Sequence, residues 1–136
     1  MASIMSDELS QLNLDSWREM LAYYEDFVQH PDWKRLYPIL RVVQRLSSSE
    51  ASKRFRAGQS LWHLIISTAP KHGLEENEPF VVVTLNGDTQ QLLIEYWDKT
   101  CGSILEKYIC NEDDVMSYLH PVLNRLWENT KGQRAT

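Results

Sequence analysis

The stretch that decides the fold is FVVVTLNGDTQQLLIEYW, residues 80–97. Two runs rich in β-branched and aromatic residues, 80–85 and 90–97, flank Asn86-Gly87. Asn-Gly supplies the positive φ angles that a tight hairpin turn demands, so the segment reads as a β-hairpin. Alternation then sorts the side chains. Val81, Val83, Leu85, Leu92, Ile94 and Tyr96 share one face; Phe80, Val82, Thr84, Leu93, Glu95 and Trp97 share the other. The first face is the drier, and it is assigned to the core.

Strand signals continue on both sides. After a turn at residues 98–103 containing Gly102, residues 104–109 read as a third meander strand. Upstream, SLWHLIIST (60–68) alternates around Trp62, Leu64 and Ile66, with Leu61, His63, Ile65 and Ser67 opposite. An apolar run of this length fits a strand or a buried helix turn. Residues 53–57 offer a further strand, with Gly58 as a turn or bulge. Residues 70–79, PKHGLEENEP, are a polar loop.

Helices flank this region. Ser16-Trp17-Arg18-Glu19 has the form of a capping box, and Trp17, Met20, Leu21, Tyr24, Phe27 and Val28 follow at helical spacing. Pro31 suits the first position of a short helix over 31–37, and Pro38 separates it from a helix over about 38–47; one kinked helix is the alternative. Asn111 is placed to cap a last helix whose first turn holds Glu112, Asp113 and Asp114. Pro121 should kink or divide it, and Lys131-Gly132 should stop it. Strands grouped together with helices outside them give the α+β class. The expected architecture is an antiparallel meander of three to four strands with N-terminal helices and a C-terminal helix packed on it. Residues 14–132 form its one domain, between a loose lead-in over 1–13 and a tail over 133–136.

The chain has 136 residues with a net charge of −5. That length buries enough apolar surface to fold without a metal or disulfide. No apolar run approaches the ~20 residues of a membrane span. The first residues lack the basic-then-apolar pattern of a secretory signal. Cys101 and Cys110 flank the third meander strand, which would hold them roughly 30 Å apart, too far to bridge. Two free thiols and a cytoplasmic location are therefore expected.

Loops of the GxxxxGK[ST], GxGxxG and GxSxG kinds are absent from the sequence, and so are paired histidines at metal-ligand spacing. No cofactor is expected, and no metal; His72, Glu75 and Glu76 make only a weak cluster. His63 could meet Glu95 or Asp98 across the sheet as an acid–base couple. Such a pair is more often a structural hydrogen bond. Cys101 lies close to Lys99, a cation that would favour a thiolate, but no base accompanies it.

Residues 34–56 hold seven basic side chains against Glu50, a local net of +6. Arg45, Lys53, Arg54 and Arg56 within it could face a nucleic acid. The plainer reading is a solvated face answering the acidic flanking helices. Nucleic acid is not the expected partner of so acidic a chain. The five tryptophans are the stronger clue. Trp97 falls on the hairpin's second face with Phe80, Val82 and Leu93, a set too apolar for plain solvent exposure. The leading expectation is a non-enzymatic protein-binding or regulatory module of the small acidic adaptor, inhibitor or immunity type. It would bind a protein partner or a second copy of itself. A nucleic-acid-associated factor is the alternative, and a small enzyme built on His63 is third.

Overall fold

The alternation in residues 80–97 is realised as expected. A computed structural model of the chain describes the backbone of residues 2–68 and 78–135, and the side chains of 8–68 and 78–130. Among the described residues, β1 (Arg56–Ser60), β2 (His63–Ser67), β3 (Phe80–Leu85), β4 (Leu92–Trp97) and β5 (Ile104–Cys110) form one antiparallel sheet in simple meander order. Val83 pairs with Ile94, and Val81 with Tyr96. Gly87 takes φ +62°, but Asn86 does not share a positive φ and the strands end at the Leu85↔Leu92 pair, so the connection is a loop over 86–91 rather than a tight Asn-Gly turn. The polar loop expected over 70–79 lies largely outside the described residues.

The sheet has five strands, not three or four. The fifth is β1, whose sequence RAGQS has neither alternation nor β-branched residues. It is a strand because it pairs with β2 from Arg56↔Ser67 to Ser60↔His63. Gly58 lies inside it, and the reversal falls instead on Leu61-Trp62, where Leu61 takes φ +58°. That angle suits glycine or asparagine; a leucine there is strained.

The helices are α1 (Ala2–Phe27), α2 (Tyr37–Ser47), α3 (Ala51–Arg54) and α4 (Val115–Ala135). The break at Pro31–Leu36 is a 3₁₀ turn, and Pro38 sits in the first turn of α2, where its missing N–H costs nothing. Four boundaries differ from expectation. Backbone over 2–13 is helical and continuous with α1, so Ser16 is interior rather than a cap. Its hydroxyl donates to the Asn13 carbonyl at 2.6 Å and accepts from the Ala57 N–H at 2.9 Å. Asn111 has the extended backbone of a cap but makes no side-chain cap bond, and a 3₁₀ turn, Glu112–Asp114, precedes α4. Pro121 is exposed inside a continuous α4, where it removes one N–H from the solvent side. Lys131-Gly132 does not stop α4, which runs to Ala135.

The core lies between the helices and one sheet face. Leu64, Ile66, Val81, Val83, Leu92, Ile94, Tyr96 and Cys110 pack there with Trp17, Ile39, Val43, Leu119 and Leu126. Each fully buried aliphatic side chain contributes roughly 1.5–3 kcal/mol. α1 also holds the backbone on either side of β1. Asn13 donates to the Lys53 carbonyl (2.7 Å), Trp17 to Phe55 (2.9 Å), Tyr23 to Leu61 (2.7 Å) and Tyr24 to Trp62 (3.0 Å). No helix among the described residues is long and apolar enough to cross a membrane.

Candidate functional site: the outer face of the sheet

Because the helices pack on one face, the other is left to the side chains that alternate away from them. The strand register arranges these in three rows. One row carries Phe80, Trp97 and Ile104; the next Ile65, Val82, Glu95 and Lys107; the third His63, Thr84, Leu93 and Ile109. None of these outer-face side chains belongs to the buried core cluster.

The face is concave. A hollow of about 570 Å³ is walled by Phe80, Val82, Leu93 and Trp97, with His63 and Glu95 among its polar groups. The Phe80 and Trp97 rings stack, 6.0 Å apart and 3° from parallel. Phe80 is only 7% exposed, whereas Val82, Leu93 and Trp97 are half-buried. The accessible apolar surface therefore comes from these three, extended by Ile65 and by Ile109, which is 48% exposed. Ile65 and Ile109 share the alternation that marked Trp97, and extending the register one strand each way from the hairpin finds them.

His63 and Glu95 reach the same hollow, but no hydrogen bond joins them. His63 Nδ1 lies 2.6 Å from Thr84 Oγ1. Partial burial pulls the imidazole below its ordinary pKa, outweighing the opposing pull of the Glu95 carboxylate. Glu95 Oε1 accepts from Trp97 Nε1 at 3.4 Å. Asp98 is elsewhere: its carboxylate accepts the Ser103 N–H at 2.7 Å inside the β4–β5 turn. Cys101 lines the hollow, is exposed, and takes φ +61°. Cys110 is buried, which raises its thiol pKa, with the Asp114 charge adding to the rise. Both thiols are free.

Comparison of the chain with family models, curated proteins and solved structures finds no match.

The basic segment is dispersed over α2, α3 and β1, and much of its charge is engaged within the molecule. Arg41 makes a two-point contact with Glu112, the Nη2–Oε1 arm measuring 2.9 Å. Lys53 pairs with Glu50 at 3.7 Å, Arg54 lies 5.6 Å over the Trp127 ring, and Arg56 is half-buried on β1. Arg45 is exposed in the last turn of α2. Among the described residues no group of three acidic, histidine or cysteine side chains converges on a metal-sized space. His72, Glu75 and Glu76 lie outside the described residues.

Leu61, at the tip of the β1–β2 turn, is 68% exposed as well as strained. Strain and exposure at one bulky apolar residue recur at contact sites.

Proposed function

We propose that this protein is a non-enzymatic binding module whose contact surface for a protein partner is the outer face of the sheet. The observation that carries the reading is the one-sided packing. All the helices contribute to one core, and the opposite face keeps a concave apolar centre at Val82, Leu93 and Trp97. Contiguous apolar surface of this kind marks association sites on folded proteins. Tryptophan in a shallow hollow is the side chain most often found to anchor them. His63 engages a hydroxyl rather than a carboxylate, which favours binding over acid–base chemistry. The internal engagement of Arg41 and Lys53 favours a protein over a polyanion.

The test is site-directed photo-crosslinking in the native host, with the probe at Leu93 and a control probe at exposed Ser117 on α4. A discrete adduct from position 93, absent from 117 and lost in Trp97→Ala, is the expected result. Trp97→Ala should weaken association by about 2 kcal/mol or more while leaving the chain folded. An adduct with the chain's own mass would make the partner a second copy. Equal labelling from both positions, or none from 93, refutes the proposal.

A further inference from the structure

A second concavity, of about 410 Å³, lies on the helical side, where the end of α1 meets the 3₁₀ turn. Tyr23, Phe27 and Trp33 wall it, and Asp26, Asp32 and His30 are its polar groups. The rings brace one another edge to face. Tyr23 and Phe27 are 5.4 Å apart at 75°, Phe27 and Trp33 4.8 Å apart at 77°. All three pack against the core while remaining half-exposed, so the walls are held in place.

Asp26 and Asp32 are both exposed, and neither carboxylate has a hydrogen-bond or ion-pair partner among the described residues. Residues 15–33 carry five acidic side chains and one basic one, and Lys34 and Arg35 follow directly. Aromatic walls with two unanswered carboxylates suit a cation on an apolar stem. The rings attract its charge through their quadrupoles, and the carboxylates accept its N–H groups. A neutral ligand would gain nothing from the carboxylates, and an anionic one would be repelled by them. The molecule already makes one such contact nearby: the Arg35 guanidinium lies 5.4 Å from the Trp33 ring centre and 6.0 Å from that of Trp62.

The rings also connect the cleft to the outer face. Trp33 lies 5.6 Å from Trp62, and Trp62 5.1 Å from His63, which lines the outer hollow. We propose that this cleft binds a cationic side chain, a lysine ammonium or an arginine guanidinium, presented by a partner polypeptide. The choice of a polypeptide as the source rests on the outer-face reading above; the cation site itself does not.

The experiment is an NMR titration of the full chain with N-acetyl-lysine and N-acetyl-arginine methylamides. The neutral isosteres, built on norleucine and citrulline, serve as controls. Saturable shifts at Tyr23, Phe27 and Trp33 are expected with the cations and not with the isosteres. Asp26→Asn combined with Asp32→Asn should weaken that binding about tenfold, and because both residues are exposed the amide spectrum should otherwise be retained. Absence of saturable shifts, equal shifts from the isosteres, or binding that survives the double substitution each overturns the cation site. Crosslinking from Leu93 reports on the outer face independently of these variants. If the double substitution leaves that adduct unweakened, the cation is not presented by the same partner, and the polypeptide source falls.

Discussion

Ser16 separates two accounts of the same residue. As a helix cap it would satisfy a helical N–H; in the structure it is 5% exposed in the interior of α1 and accepts the Ala57 N–H on the β1 edge. Ser16→Ala removes the only side-chain acceptor that this amide has. A buried donor left unpaired costs about 1–3 kcal/mol, offset by a few tenths for the better helix propensity of alanine. The net loss expected is about 1–2 kcal/mol, read as a lower urea midpoint at unchanged slope. Loss of a cap would give a similar number. Ser16→Asp distinguishes them, because aspartate caps as well as serine but would place a carboxylate in a site that is 95% covered. The structure requires Asp to be at least as damaging as Ala, and the Ala57 amide to exchange faster in both variants. An Asp variant as stable as the parent, or an Ala57 amide whose protection is unchanged in Ser16→Ala, would refute this role at the β1 edge.

Three further outcomes follow from particular groups. Leu61→Asn should match or exceed the parent in stability and Leu61→Val should fall below it by about 1 kcal/mol or more, since φ +58° suits asparagine and resists a β-branched residue; the reverse order in urea melts would refute the strained turn. Burial lowers the His63 pKa, so the unfolded chain takes up the proton first and stability is lost as pH falls below 6.5; His63→Gln should flatten that loss between pH 6.5 and 4.5, above the range where Glu112 and Glu106, held down by Arg41 and Arg125, begin to protonate. Identical pH slopes in the two proteins would count against it. Cys101 should react with a thiol reagent in the native protein and Cys110 only on unfolding, because one is exposed and the other buried with a raised pKa; simultaneous labelling would show that the β5–α4 junction opens readily.

The hairpin and its two faces were legible because period-two alternation and Asn86-Gly87 are local signals, and the face assignment carried the outer hollow with it. β1 was legible only in part: the strand expected over 53–57 meets it at 56–57, residues 53–54 instead end α3, and the rest of RAGQS becomes a strand only through its neighbours, β2 on one side and α1 on the other. The start of α1 was misplaced for a related reason. Ser-x-x-Glu is a cap when the serine has no other partner, and the partner of Ser16 lies 41 residues further on. Pro121 weighs heavily in a sequence but lightly on an exposed helix face. The aromatic cleft is not legible in the sequence because only Phe27 of its walls belongs to the apolar stripe of the first helix; Tyr23 lies beside that stripe and Trp33 beyond the helix. Nothing in the spacing of Tyr23, Phe27 and Trp33 says that they meet half-exposed.

The two edges of the sheet are unlike. Along β1, α1 packs beside the strand and Ser16 takes up the Ala57 N–H that another strand would use. β5 has β4 as its strand neighbour and keeps Ile104 and Leu105 exposed, with Lys107 in mid-strand. A strand added from outside finds the opener edge at β5, where a mid-strand lysine opposes its own copy across a two-fold axis. If two copies met there, each would turn its β1 edge, with α1 packed beside it and the Ala57 N–H already engaged by Ser16, outward. The same α1 that completes the core thus makes β1 the less inviting of the two edges for an incoming strand.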